Sequence, residues 1–166
     1  MIYTIREWDD TILRTTAEPV KEIDSNILQI VDNMVETMYH IGAVGLAANQ
    51  CGIPLRIMLI DRRATNESPI IAINPTIIQR SKQLGVSTEG CFSLPGVFGL
   101  LLRYKKVALT ALDQNGIFCT HLLGPDNWYS IAAQHELDHL NGIFFTDYAF
   151  EIWEDMTQIT STYKDK

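Results

Sequence analysis

The residues best equipped for chemistry lie in one short run, Gln134-His135-Glu136-Leu137-Asp138-His139-Leu140. Histidines four apart leave one face of a helix about one turn from each other. Two ring nitrogens placed that way can meet one metal ion. Glu136, next to the first histidine, lies beside such an ion without having to bind it, and its carboxylate can take a proton from water there. The pattern points to a metal site and to hydrolysis. Catalytic sites of this kind usually have three protein ligands and one open position, and this run supplies only two. The downstream Gly-then-His pattern finds Gly142 but has Phe145 where the histidine would stand. Glu151 and Glu154 offer carboxylates. Cys91 offers a thiolate, in Thr88-Glu-Gly-Cys-Phe-Ser-Leu-Pro-Gly96, a turn punctuated by Gly and Pro. Cys51 and Cys119 lie in apolar contexts and read as packed side chains. Neither His40 nor His121 is obviously placed to activate Cys91 as a nucleophile. A third segment, Ala43-Val-Gly-Leu-Ala-Ala-Asn-Gln50, is a small-residue turn where backbone N–H groups can approach a ligand, and Gln50 adds an amide donor.

These side chains need elements to hold them. Asp24-Ser25 is a good N-cap pair, and Ile27, Leu28, Val31, Met34, Val35 and Met38 follow at helical spacing, with Gly42 as a stop. This predicts a helix over roughly 25–40. The first 23 residues or so read as mixed and extended. Strands are predicted at 56–61 and at 70–74, before Pro75. Two further runs, 107–112 and 117–122, flank Asn115-Gly116, a hairpin signal. A helix from about 127 to 140 carries the histidines and ends near Gly142. Phe150, Trp153, Met156, Ile159 and Tyr163 are spaced for a short C-terminal helix. Strands cluster between helices, so the expected fold is α+β: a mostly antiparallel sheet packed around the central histidine-bearing helix.

The chain has 166 residues, 46% hydrophobic and 20% charged, which excludes general disorder. With no repeat and no linker, one catalytic domain over 1–166 is expected. Lys+Arg 13 against Asp+Glu 20 gives a net charge of -7. That balance argues against nucleic-acid backbone as a main partner and against an anionic membrane face, while leaving room for a local basic patch. No apolar run reaches the ~20 residues of a membrane span. The segment Met1–Asp10 has neither a secretion signal nor a transit character, so a cytosolic location is expected. Three cysteines without an export signal point to metal ligation or burial, not to a disulfide scaffold.

Taken in order, the three segments resemble the motifs of the peptide deformylase family, G-x-G-x-A-A-x-Q, E-G-C-x-S and Q-H-E-x-D-H-x-x-G. They fall at 43–50, 89–93 and 134–142, with Ala43 in place of the leading glycine. Thr37-Met38-Tyr39, Ile60-Asp61, Asn74-Pro75 and Arg103 also suit the family, so the resemblance covers about residues 1–150. Members of that family remove the formyl group from the N-terminal formyl-methionine of new bacterial polypeptides. The resemblance implies that Cys91, His135 and His139 hold one divalent metal ion, natively Fe2+, with Zn2+, Ni2+ or Co2+ as alternatives. It implies that water in the fourth place attacks the formyl carbon, with Glu136 as base and then as acid toward the leaving amine. The Gln50 side chain and the Phe92 backbone N–H would stabilise the oxyanion. Glu89, Arg103, Gln134 and Asp138 would surround the ligands and fix the imidazoles. Val44, Gly45, Gly90, Trp128, Ile131 and Ala132 would receive the methionyl substrate, with Gly45 pairing its backbone to the peptide. Ala43 would narrow the turn next to the substrate. The implied partners are formyl-methionyl peptides or nascent chains, with no membrane and no specific nucleic acid, in the bacterial cytoplasm; a phage-carried copy would also suit. The tail holds Glu151, Glu154 and Asp155 before its two lysines, which argues against docking to ribosomal RNA through a basic C-terminal helix. From the residues alone two other readings stay open: a zinc peptidase with Glu151 or Glu154 as third ligand, and a metal- or partner-binding domain without catalysis.

Overall fold

In the computed structural model, which describes residues 1–124 and 128–155, helix α1 spans Ser25–His40. Asp24 caps it, its carboxylate accepting from the Ile27 N–H at 2.9 Å. The chain leaves the helix through Gly42 at φ +70, a conformation that favours glycine. Ile27, Val31, Met34 and Met38 form its buried face.

Eight strands follow the predicted antiparallel plan and divide into two sheets. The larger holds β1 (Gly45–Ala47), β2 (Ile57–Ile60), β3 (Ile70–Arg80), β6 (Val107–Leu112) and β7 (Phe118–Leu123), in the order β1-β2-β3-β6-β7. The smaller holds β4 (Leu84–Cys91), β5 (Leu94–Tyr104) and β8 (Glu151–Glu154), with β5 central. Helix α2, Tyr129–Leu140, packs between them. The run Ile57-Met-Leu-Ile60 does not alternate because both its faces are covered. Ile57 and Leu59 join the cluster with α1, while Met58 and Ile60 join Ala132, Ala133 and Leu140 of α2. The β6–β7 hairpin forms as predicted, with Gly116 at φ +74 and Asp113 Oδ1 accepting from the N–H groups of Asn115 and Ile117, each at 2.8 Å.

Three expectations need correction. Strand β3 does not stop at Asn74 but passes Pro75 to Arg80. The register shifts between Ile73 and Thr76, and Asn74 sits there at φ +53. Pro75 thus falls in a bulge, where the ladder needs no N–H from it. The Asn74 side chain pins the bulge through two 2.8 Å bonds to the Val20 backbone. Second, residues 84–104 form a long hairpin instead of a lone turn around Cys91. Third, residues 151–154 are a strand, not the start of a C-terminal helix. Trp153 lies opposite Phe98, with ring centroids 6.1 Å apart, and the Phe150 and Asp155 N–H groups bond to Leu100 and Gly96. Pairing the open edge of β5 satisfies more backbone groups than a turn of helix would. Met156, Ile159 and Tyr163 lie outside the described residues. Among the described residues, no helix is long and apolar enough to cross a membrane.

Candidate active site

Helix α2 sets the His135 and His139 rings at 78° with centroids 4.8 Å apart, and their Nε2 atoms approach to 3.1 Å. Cys91, the last residue of β4, brings its Sγ to 3.2 Å from His139 Nε2. The three ligand atoms lie within 4.8 Å of one another, and this is the one such His/Cys/Asp/Glu group among the described residues. A tetrahedral ion with bonds of about 2.0–2.1 Å to nitrogen and about 2.3 Å to sulfur separates its ligands by about 3.3–3.6 Å. The cluster fits that demand with little movement. Glu151 and Glu154 are exposed on β8 and outside the group, which removes the carboxylate alternative for a third ligand. Phe145, standing where a downstream histidine would be, stacks on His135 at 6.0 Å.

The surroundings fix the donor set. His135 Nδ1 meets Glu89 Oε2 at 2.8 Å, which leaves Nε2 as the nitrogen turned toward Cys91 and His139. Arg103 grips both oxygens of Glu89, at 2.8 and 2.9 Å, and reaches Asp138 at 2.6 Å. Burial works against the charge on Glu89, but the Arg103 and His135 contacts hold its carboxyl at about 2. Burial likewise opposes the Cys91 thiolate, and the two histidines nevertheless hold the thiol well below its ordinary range. Two expected roles change. Asp138 bears on Arg103, which reaches His135 only through Glu89. Gln134 does not reach the imidazoles; its amide bonds to both backbone groups of Tyr104 and to the Ser130 carbonyl, clamping α2 to β5.

Glu136 is 5% exposed and its Oε2 has no hydrogen-bond partner among the described residues. Burial pushes its carboxyl up to about 7. An unbonded buried carboxylate oxygen is costly to keep, and it marks a place for a water or a substrate atom. Glu136 lies against Gly45, where a Cβ would sit 2.9 Å from Glu136 Cδ. Gly45 therefore makes room for the carboxylate, a role its position in the sequence does not announce. The Gln50 amide points its Nε2 at Cys91 Sγ (3.2 Å) and Ser93 Oγ (3.3 Å), and Oε1 accepts from the Ala47 N–H at 2.8 Å. Phe92 occupies the turn between β4 and β5.

A cavity of about 300 Å³ opens beside these groups. Val44, Gly45, Gly90, Trp128, Ile131 and Ala132 all line it. It lies between β1, at the edge of one sheet, and β4, at the edge of the other. Ala43 borders it too, but its backbone is outside the left-handed region and its side chain is buried in the α1 cluster, so no glycine is required there. Two polar residues with 0% exposure were given no role from the sequence. Ser93 meets the Gln50 amide and sends its N–H toward Cys91 Sγ at 3.4 Å. Asn49 donates to the His139 carbonyl, tying the Gln50 turn to α2. For Asn49 the neighbouring Gln50 was the signal, and Ser93 closes the E-G-C-x-S pattern. Cys51 is buried as expected, and burial pushes its thiol up to about 12.

Comparison with known proteins agrees in sequence and in fold. A family model described as polypeptide deformylase matches residues 2–153. The peptide deformylase of Bartonella quintana is 40% identical over 153 residues, covering 89% of this chain and 84% of that one. The crystal structure of peptide deformylase from Thermotoga maritima superposes with a TM-score of 0.84 at 34% identity, over 91% of this chain and 99% of that one. A class I type b peptide deformylase from Acinetobacter baumannii, solved with Met-Ala-Ser bound, gives a TM-score of 0.81 at 26% identity, over 89% and 98%. The chain belongs to the polypeptide deformylase family, metal-dependent hydrolases that remove N-terminal formyl groups from nascent peptides.

Proposed function

We propose that this chain, acting as one catalytic domain in the cytoplasm, hydrolyses the formyl amide of N-formyl-methionyl peptides and nascent chains. Cys91, His135 and His139 would hold one divalent ion, Fe2+ natively, with Zn2+, Ni2+ or Co2+ as substitutes. The observation that carries this reading is the convergence of three ligand atoms beside a buried carboxylate oxygen without a partner, at the wall of a cavity. When bound, such an ion supplies Lewis acidity, polarising the formyl oxygen and making water easier to deprotonate. Glu136 takes the proton of the attacking water and returns it to the amine nitrogen as the C–N bond breaks, so formate and a free N-terminus leave. Gln50 Nε2 and the Phe92 N–H donate to the oxygen on which charge develops; losing one such donor costs about 2.7–4 kcal/mol in the barrier. The free edge of β1 at Gly45 accepts the peptide backbone as an added strand. Trp128, Ile131 and Ala132 offer the methionine side chain an apolar wall. The Acinetobacter baumannii relative with Met-Ala-Ser bound suits a site that accommodates a methionyl N-terminus.

The test is formate release from a formyl-Met-Ala-Ser peptide by the metal-loaded protein. Wild type turns over, and Glu136→Ala loses about 10²–10⁴-fold with its metal retained. Equal turnover in both removes Glu136 from the chemistry. No turnover in either, with metal bound, favours a binding domain.

A further inference from the structure

The sheet edges are not all treated alike. Strands β1 and β4 border the catalytic cavity. Strand β8 carries Glu151 and Glu154, charges that discourage a further strand. Strand β7, Phe118-Cys-Thr-His-Leu-Leu123, has no Asp, Glu, Lys, Arg or Pro, and its register with β6 runs without a bulge. The Asp113 N–H donates to the Ile117 carbonyl at 2.9 Å. Counted along the register from that bond, Cys119, His121 and Leu123 exchange bonds with β6. Phe118, Thr120 and Leu122 turn their N–H and C=O groups away from it. Among the described residues no strand takes up those groups. The side chains of the same three residues are exposed, Phe118 at 67% and Leu122 at 82%.

This edge is complementary to itself. Two copies set antiparallel about a two-fold axis through Thr120 place Thr120 against Thr120, and Phe118 of each copy against Leu122 of the other. These are the residues with outward backbone groups, so each pair exchanges two hydrogen bonds. Their side chains share one face. On that face Phe118 of one copy meets Leu122 of the other at the rim of a hollow of about 370 Å³, lined also by Gln79, Lys106, Ala108 and Leu123.

Charge selects the same orientation. The β6–β7 turn is the acidic end of the hairpin. Asp113 stands there, and Gly116 lies near Ile23, which brings Glu22 and Asp24 alongside, against a single cation, Lys21. The opposite end is basic. Gly124, just past β7, packs on the Lys105 backbone, and the Ser81 N–H donates to the Lys106 carbonyl at 2.9 Å. That bond gathers the exposed Arg80, Lys82, Lys105 and Lys106 on two adjoining turns. Antiparallel pairing lays the acidic end of each copy beside the basic end of the other, whereas parallel pairing would set like charges together.

We propose that β7 is the contact through which two copies of this chain pair, joining their five-stranded sheets into one continuous sheet. Strand β1 lies at the far side of that sheet, so pairing leaves the cavity edge free for a substrate. One strand from each copy makes a small contact, so the dimer is a weak one, with a Kd of about 10–100 μM.

The test follows the mass of the metal-loaded full chain by sedimentation equilibrium, from about 1 μM to about 500 μM. Wild type rises from 18.8 kDa toward twice that value. Phe118→Lys and Leu122→Glu each weaken association about tenfold or more, and both keep wild-type formate release. An equimolar mixture of the two variants regains association, because the introduced charges then face each other across the pair. Circular dichroism checks that both are folded. If either is not, Thr120→Lys, which sets two ammonium groups on the axis, takes its place with the same loss expected. A mass fixed at 18.8 kDa over the whole series overturns the proposal. Association that the folded variants leave unchanged also overturns it, because another surface then holds the copies together. A mixture that regains nothing overturns the register and the pairing with it.

Discussion

The two sheets obey opposite rules. In the five-stranded sheet, Leu46, Ile57, Leu59 and Ile73 face α1 and Met58, Ile60, Ala72 and Leu109 face α2, so apolar side chains fill both sides. In the three-stranded sheet the side turned toward α2 carries Ser87, Glu89 and Arg103, all buried, while Leu84, Val86 and Leu102 face outward and are exposed. Burying Glu89 and Arg103 is tolerated only because their hydrogen-bonding groups are matched to each other, to His135 and to Asp138. The first sheet holds α2 still. The second spends its interior on charge, and that interior is where Cys91 and the His135 partner come from. Stability and chemistry are thus divided between the sheets, with α2 as the shared member.

Substitutions can break that division if it is wrong. The largest effect is expected in the first sheet. Leu59→Ala, removing a side chain with 0% exposure, destabilises the fold by about 2–5 kcal/mol, read by denaturant unfolding, while turnover per folded molecule stays near wild type. At the seam the pattern reverses. Gly45→Ala pushes a methyl into Glu136 and lowers kcat for formate release about 100-fold, as a displacement near 1 Å does, with a far smaller change in stability than Leu59→Ala. Glu89→Gln is expected to act through pH. The folded carboxyl, held at about 2, lies below its ordinary 4.5, so it contributes stability above pH 4.5 that is lost as pH falls toward 2. Unfolding free energies of Glu89→Gln therefore lose slope in that window, and an unchanged slope refutes the pairing. The smallest effect is on the outer face: Val86→Thr, at 62% exposure, shifts stability by no more than about 0.5 kcal/mol. A larger loss by calorimetry would mean that this face is not free.

The same contrast explains what the residues revealed before folding. Helix α1 was legible from its cap and apolar spacing, the β6–β7 hairpin from its Asn115-Gly116 turn, and α2 from its histidine spacing and the stop near Gly142. The β4–β5 hairpin was not, because Leu84, Val86 and Leu102 point outward and Ser87, Glu89 and Arg103 inward beside the buried Leu101, which breaks the usual alternation. Strand β8 was misread because Phe150 and Trp153 are three apart, a helical interval, although an open strand edge decided their conformation. The His135-Glu136-His139 run announced its chemistry through local spacing. The thiol could not do so. Cys91 is 44 residues from His135, and only the motif order singled it out from Glu151 and Glu154. Asn49 and Ser93 act through contacts that exist only in the folded chain.

The central claim is that one sulfur and two imidazole nitrogens share a single ion. X-ray absorption at the metal edge of the loaded protein tests it most directly. One sulfur neighbour at about 2.3 Å and two nitrogen neighbours at about 2.0–2.1 Å are expected, with the sulfur shell gone in Cys91→Ser. A tightly bound ion with no sulfur neighbour, or a sulfur shell that survives Cys91→Ser, would contradict the account.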